Sequence, residues 1–224
     1  MYEQRETARA GRRSIAPSPV GDGRSTQADR SARTRAALLE SAARGLSRYG
    51  YSNLVLERVA SDAGYTRGAL YHQFKDKEDL ALAVIEWVDQ TWRQNVGALV
   101  EQESDPLAAL IGLARGHAVF CRRDIARVAM ALRLEFSARD HPIGRRLAEV
   151  SESLVKRCAL LIGAGRRAGT IPSGPPARAV ALAFVGALEG TVIQLAGQPP
   201  HDELLAARAA AGVLGLSGVP PLPR

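Results

Sequence analysis

From Ser31 to Leu214 apolar side chains return every three to four residues, and no stretch of consequence alternates apolar with polar as a strand would. A chain patterned this way can bury a core only by packing helix on helix, so the fold expected is all-α. The first helix places Leu38, Leu39, Ala42, Ala43 and Leu46 on one face and ends at Tyr49-Gly50, where glycine can take the left-handed capping conformation. Two short helices over 56–63 and 67–74 hinge on Gly64, and a long one runs through Leu80, Val84, Trp87, Val88, Trp92 and Val96 toward Glu103. Asp105-Pro106 and His141-Pro142 each read as an N-cap followed by proline at the first helical position, with a helix over 124–138 between them. The helix opening at Pro142 should stop near Ala168-Gly169, because Pro172, Pro175 and Pro176 forbid its continuation. Two more, over 177–195 and 202–214, bring the expected count to nine. Residues 1–30 mix Arg, Gly, Ser and Pro without periodicity and read as a disordered basic arm, and residues 217–224 as a flexible tail.

Composition narrows the function classes. The 224 residues are 46% hydrophobic, enough for a real core, and carry a net charge of +7. The basic excess lies at the front, where residues 1–75 hold 13 Lys and Arg against 7 Asp and Glu, and this suits a polyanionic partner such as DNA. Cys121 and Cys158 both sit in apolar helical patterns, without the spacing of a zinc site or a disulfide framework. The longest apolar stretch, 179–188, stops at Glu189, well short of a membrane span of ~20 residues, and the N-terminus lacks the apolar run of a signal peptide. A cytoplasmic protein without membrane association is expected.

The most informative segment is 54–80. Gly64 permits a sharp turn between two short helices, and Thr66 can cap the second of them and offer its hydroxyl to a phosphate. Arg67 in the first turn projects toward base edges or phosphate, while Gly68 and Ala69 leave room for close approach to a groove. Lys77 opens the next helix, where exposed N–H groups add favourable electrostatics for an anion.

With the first helix, about fifty residues here resemble the DNA-binding segment of the TetR family. The matches are ordered: Gly50-Tyr51 ends the first helix, Val59-Ala60 lies in the second, and Ala63-Gly64-Tyr65-Thr66 makes the turn. Leu70-Tyr71 and Phe74 follow in the recognition helix, and Lys77-Glu78-Asp79-Leu80 opens the fourth. The resemblance implies an N-terminal three-helix DNA-binding domain over 31–75 and a C-terminal helical ligand-binding and dimerisation domain over 76–216. It implies that Tyr71, His72 and Gln73 reach the DNA backbone or base edges, that Lys77 pairs with phosphate, and that Arg33 joins this DNA-facing set. One departure stands out: the family usually has Thr or Ser where this chain has Leu54 and Val55, so the second helix should lack a side-chain cap, at a cost of ~1 kcal/mol.

Other signals carry less. Gly163-Ala-Gly165-Arg-Arg-Ala168 matches a relaxed dinucleotide fingerprint, but it closes a helical pattern rather than leaving a strand. His72, His117, His141 and His201 show no metal-ligand spacing, although His117 in an apolar helix could line a cavity. Trp87 and Trp92, five apart, face different ways, so one of them could edge a pocket. No nucleophile has a local signature, and neither enzymatic activity, a cofactor nor a metal is expected. The expected protein is a repressor that binds an inverted-repeat operator in double-stranded DNA as a homodimer and is released by a small apolar or amphipathic effector. The alternatives are a helix-turn-helix protein without an effector and an enzyme whose front module is incidental. The inward candidates for the effector pocket are Leu110, Leu113, His117, Phe120, Met130, Leu134, Phe184 and Leu188. Dimerisation is expected through the last two helices, where Ala183, Gly186, Ala187 and Gly190 lie beside Leu182, Val185, Leu188 and Val192.

Overall fold

A computed structural model describes residues 26–136 and 140–219, and all regular structure among them is helical. The elements are α1 (Gln27–Tyr49), α2 (Leu56–Asp62), α3 (Arg67–Gln73), α4 (Lys77–Trp92), α5 (Ala98–Gln102), α6 (Pro106–Phe120), α7 (Val128–Glu135), α8 (Pro142–Ala168), α9 (Ala177–Leu195) and α10 (His201–Val213). A π-helical turn, Arg93–Gly97, joins α4 to α5, so the two form one rod and the described residues make nine helical units.

The helix ends follow local chemistry. Asp105 caps α6 through the N–H groups of Leu107 and Ala108, with Pro106 in the first turn. His141 caps α8 by accepting from the Ile143 N–H at 3.2 Å, and Gly169 closes that helix at φ 75°. Two boundaries differ from expectation. Helix α1 starts at Gln27, because Thr26 and Asp29 form a reciprocal capping box, so the expected arm does not extend to residue 30. Residues 1–25, the rest of that arm, lie outside the described residues, as do 220–224 of the expected tail. The helix expected over 124–138 opens as a 3-10 turn, Asp124–Arg127, and α7 ends at Glu135.

The front three helices share a core of Leu38, Leu46, Leu54, Val59, Leu70 and Phe74. Two polar ties hold their geometry. The buried Ser41 hydroxyl donates to the Val59 carbonyl at 2.9 Å, joining α1 to α2. Arg35 on α1 donates to the Gln73 carbonyl at 3.1 Å and lays its guanidinium over the Phe74 ring at 4.4 Å, joining α1 to the end of α3.

Behind this unit α4 packs on α1 and α8, while α6, α8, α9 and α10 build the larger bundle. Asp202, buried at the start of α10, takes two hydrogen bonds of 2.8 Å from Arg122 just beyond α6. By length and composition α9 is apolar enough to cross a bilayer, beyond what its run of ten apolar residues suggested. Here Val180, Phe184, Val185, Leu188 and Val192 bury one of its faces in the bundle. Val185, Leu188 and Val192, expected at a dimer interface, therefore belong to the protomer's own core. Gly163 and Gly165 lie inside α8, and a β-carbon on Gly165 would come 2.6 Å from Ile171, so this glycine makes room for the returning chain.

Candidate nucleic-acid interface and effector cavity

Helix α3 is laid down by a tight turn. Gly64 has φ 78°, Gly64 N–H bonds to the Ser61 carbonyl at 3.0 Å, and Tyr65 N–H reaches the Ala60 carbonyl at 2.9 Å. The Thr66 hydroxyl accepts from the Ala69 N–H at 3.2 Å, as its position required. Leu70 and Phe74 anchor the inner face, which leaves Thr66, Arg67, Gly68, Tyr71 and His72 exposed and Ala69 and Gln73 half-buried. A β-carbon at Gly68 would meet only the Thr66 hydroxyl, at 3.8 Å, so the backbone there is open to close approach.

Several of these side chains already have partners. Arg67 forms an ion pair with Glu57 of α2 at 2.8 Å and sits over the Tyr71 ring, with its guanidinium 5.3 Å from the centroid. Gln73 donates to Ser31 at 2.9 Å, so its amide helps join α3 to α1. Arg33, exposed on α1, donates to the Asp29 carbonyl at 3.3 Å. Lys77 turns back toward the chain: its ammonium donates to the Ser52 carbonyl at 3.1 Å and lies 4.8 Å from the Tyr51 ring centroid.

That loop has a second partner which sequence reasoning missed. Glu135, the last residue of α7, accepts from the Tyr51 N–H at 2.5 Å, the Ser52 N–H at 2.6 Å and the Ser52 hydroxyl. Burial alone pushes the Glu135 carboxyl up, but these hydrogen bonds and the nearby Lys77 charge together hold it below the usual carboxylate range. Phe136 adds an edge contact to Tyr51, with centroids 5.1 Å apart. No local signal in the sequence marks Glu135, because its partners lie 83 and 84 positions away.

The second half contains a cavity of about 260 Å³ ringed by α4 to α9. Its apolar wall includes Ile85, Val88, Phe120, Leu147, Leu154 and Val185. The expected pocket residues His117 and Phe120 lie on this wall, and so does Trp92, beside the π turn. Leu110, Leu113, Phe184 and Leu188 do not line it; they fill solid core, because helical periodicity marks an inward face without distinguishing core from cavity wall. Met130 packs half-buried against the core, also away from the cavity. Leu134 is corrected outright: it is 83% exposed, since α7 turns Leu132 inward and Leu134 away.

The cavity's polar groups were not legible as a set. Arg93 pairs with Asp89 at 2.7 Å, Arg157 with Glu101 at 2.9 Å, and Arg133 with Glu189, so each of the three cations on the wall meets a carboxylate. His117 accepts from the Trp92 indole N–H at 3.1 Å, and its other ring nitrogen lies 3.6 Å from the Cys121 sulfur. Burial lowers the His117 pKa to about 4 and raises that of the Cys121 thiol to about 12. A larger groove of about 670 Å³ lies between the 93–103 stretch and α6, but only Glu203 closes it from a third helix.

Fold and site together define a helix-turn-helix DNA-binding module joined to a helical bundle that carries a cavity. The model for the N-terminal domain of bacterial regulatory proteins of the tetR family matches residues 38–84. The regulator TtgR of Pseudomonas putida is 35% identical over 78 residues, covering 34% of this chain and 37% of the relative, so the match spans well under half of that protein's length. A TetR-family regulator from Streptomyces coelicolor shares the fold with a TM-score of 0.70 at 21% identity, covering 82% of this chain and 95% of that one. AibR, solved with isovaleryl coenzyme A and operator DNA, does so with a TM-score of 0.64 at 20% identity over 84% of this chain and 99% of that one. The segment 38–84 thus matches the tetR family, and the described chain shares the fold of these solved regulators.

Proposed function

We propose that this protein is a homodimeric, cytoplasmic transcriptional repressor that occupies an inverted-repeat operator and is released by a small-molecule effector held in the 260 Å³ cavity. The observation that carries the reading is the outer face of α3. A short, capped helix anchored by Leu70 and Phe74 presents Thr66, Arg67, Gly68, Tyr71 and His72 together, the form in which a recognition helix enters a major groove. Arg67 exchanges Glu57 for a base edge or phosphate when DNA arrives. Thr66, Ala69, Tyr71, His72 and Gln73 supply the surrounding contacts, Arg33 approaches from α1, and Lys77 acts at the edge of the interface.

Dimerisation is supported by the side of α9 that the protomer leaves bare. Ala179, Leu182, Ala183, Gly186, Gly190 and Ile193 are all exposed on it, and nothing stands within 4 Å of a β-carbon at either glycine. Coupling is supported by α7, a helix of eight residues. Val128, Ala129 and Arg133 face the cavity, while Glu135 holds the Tyr51-Ser52 loop at the base of the DNA-binding unit. A ligand that shifts α7 therefore changes how that unit is held, and thereby the separation of two recognition helices that must match half-sites ~34 Å apart or a multiple of it.

The test is selection of random duplexes by the full-length chain, followed by anisotropy titration at several salt concentrations and light scattering. An inverted repeat bound by two protomers, with affinity falling steeply as salt rises, is the expected outcome. Monomeric mass, or equal affinity for selected and random duplexes, would overturn the reading.

A further inference from the structure

One polar group on the cavity wall, His117, has its proton position fixed by its neighbour. An indole N–H can only donate, so the 3.1 Å contact from Trp92 Nε1 makes His117 Nδ1 an acceptor. In the neutral ring the proton then sits on Nε2, which faces Cys121 Sγ at 3.6 Å, four residues on at the C-cap of α6. Sulfur is a weak acceptor, so this buried N–H lacks a strong partner. Among the described residues the Cys121 thiol beside it has no other hydrogen-bond partner, and it adds a second, weaker donor.

The rest of the wall restricts what can meet those donors. Arg93, Arg133 and Arg157 are each matched by Asp89, Glu189 and Glu101, so the wall carries no unpaired charge to hold an ionic ligand. Burying an ionic head here without a counter-charge costs more than a hydrogen bond returns. The aromatic and aliphatic surface of Trp92, Phe120, Ile85, Val88 and Leu154 favours an apolar body.

From this geometry we infer that the effector is an uncharged, largely apolar molecule bearing a carbonyl-type oxygen, which accepts the His117 Nε2–H beside Cys121 on the cavity wall. The inference rests on the effector reading above and deepens it. Trp92 acts as a positioning residue, since it holds the imidazole in the tautomer whose proton lies on Nε2, beside Cys121.

Four probes of one shape test it by titration calorimetry on the full chain: benzylacetone, hydrocinnamate, phenylbutylamine and butylbenzene. Benzylacetone should bind about tenfold more tightly than the other three, the worth of one well-made hydrogen bond. His117→Phe should bring benzylacetone down to the level of butylbenzene while butylbenzene binding persists, which shows that the cavity is intact. Trp92→Phe frees the tautomer and should narrow the ketone's preference without removing the histidine. If hydrocinnamate or phenylbutylamine matches the ketone, or benzylacetone binds His117→Phe unchanged, the ligand class is overturned while the cavity reading stands. Binding of none of the four would overturn both.

Discussion

The two working ends of this molecule are built from opposite kinds of contact. At the DNA-binding end the helix ends are set close in sequence: Thr66 caps α3 three residues on, Asp76 caps α4 three residues on, and Leu70 and Phe74, at the end of α3, both face the core. At the cavity end they span the chain. Arg133 reaches Glu189 and Arg157 reaches Glu101, each across 56 positions, and the six helices α4 to α9 contribute wall. Short-range contacts set where the helices of that end begin and turn. Long-range ones form a chamber whose shape depends on how the helices lean on one another.

The largest expected effect breaks the DNA-binding end. Phe74→Ala removes a side chain only 1% exposed, together with the platform for Arg35, and should destabilise the DNA-binding unit by ~3 to 5 kcal/mol. Chemical denaturation measures it, and operator binding should disappear with it. Leu134→Ala at the other end should stay within ~0.5 kcal/mol of the native protein, because that leucine is exposed. A loss above ~2 kcal/mol at Leu134 would show that α7 packs differently from the arrangement described.

An intermediate effect falls on the contact that joins the two ends. Glu135→Gln keeps the shape but removes the charge that accepts the Tyr51 and Ser52 N–H groups, and should cost about 1 kcal/mol by the scale of surface charge-assisted bonds. Its clearer signature is in pH. The folded carboxyl titrates below its unfolded value, so its contribution is present above the ordinary carboxylate pKa and is lost as pH falls through the lowered one. The native protein should therefore lose stability on acidification over that acidic range more steeply than the variant. Identical acid profiles would remove Glu135 from the link between the two ends.

The same contrast explains what could be read from the amino-acid order. Caps at Thr66, Asp105 and His141, the stop at Gly169 and the hinge at Gly64 are local chemistry, and each stands where the residues placed it. The start of α1 was set too late because its first turn, Gln27 to Arg30, is wholly exposed and carries no apolar signal, whereas the Thr26–Asp29 box is itself a local sign that periodicity overlooks. The cavity was only partly legible. His117 and Phe120 belong to it, but Leu110 and Leu113 share the same helix and lie in solid core. Nothing in a 3.6-residue period separates a side chain touching neighbours from one touching a void. The π turn at 93–97, which sits beside Trp92, and the Glu135 contact likewise depend on tertiary packing rather than on neighbours in the chain.

The smallest effect sharpens the comparison by improving the local end. Leu54 and Val55 stand where a hydroxyl side chain would cap α2, and they turn out to play different parts. Leu54 is buried and fills the space over Gly45, where a β-carbon would come 2.6 Å from its methyl group, so Leu54→Thr would trade packing for a cap. Val55 is the N-cap itself: extended at φ −106° and ψ 117°, 53% exposed, and making no side-chain cap bond. Its backbone is already suited to a capping residue, so Val55→Thr adds a hydroxyl for the N–H groups of the first turn of α2 and gives up little burial. The expected gain is ~0.5 to 1 kcal/mol in chemical denaturation, with cavity ligands bound as before, because the change touches only a cap remote from the cavity wall. If that hydroxyl also meets phosphate, operator affinity should rise at low salt and the gain should shrink as salt is added. A loss of stability would show that the apolar contact given up at Val55 outweighs the added cap.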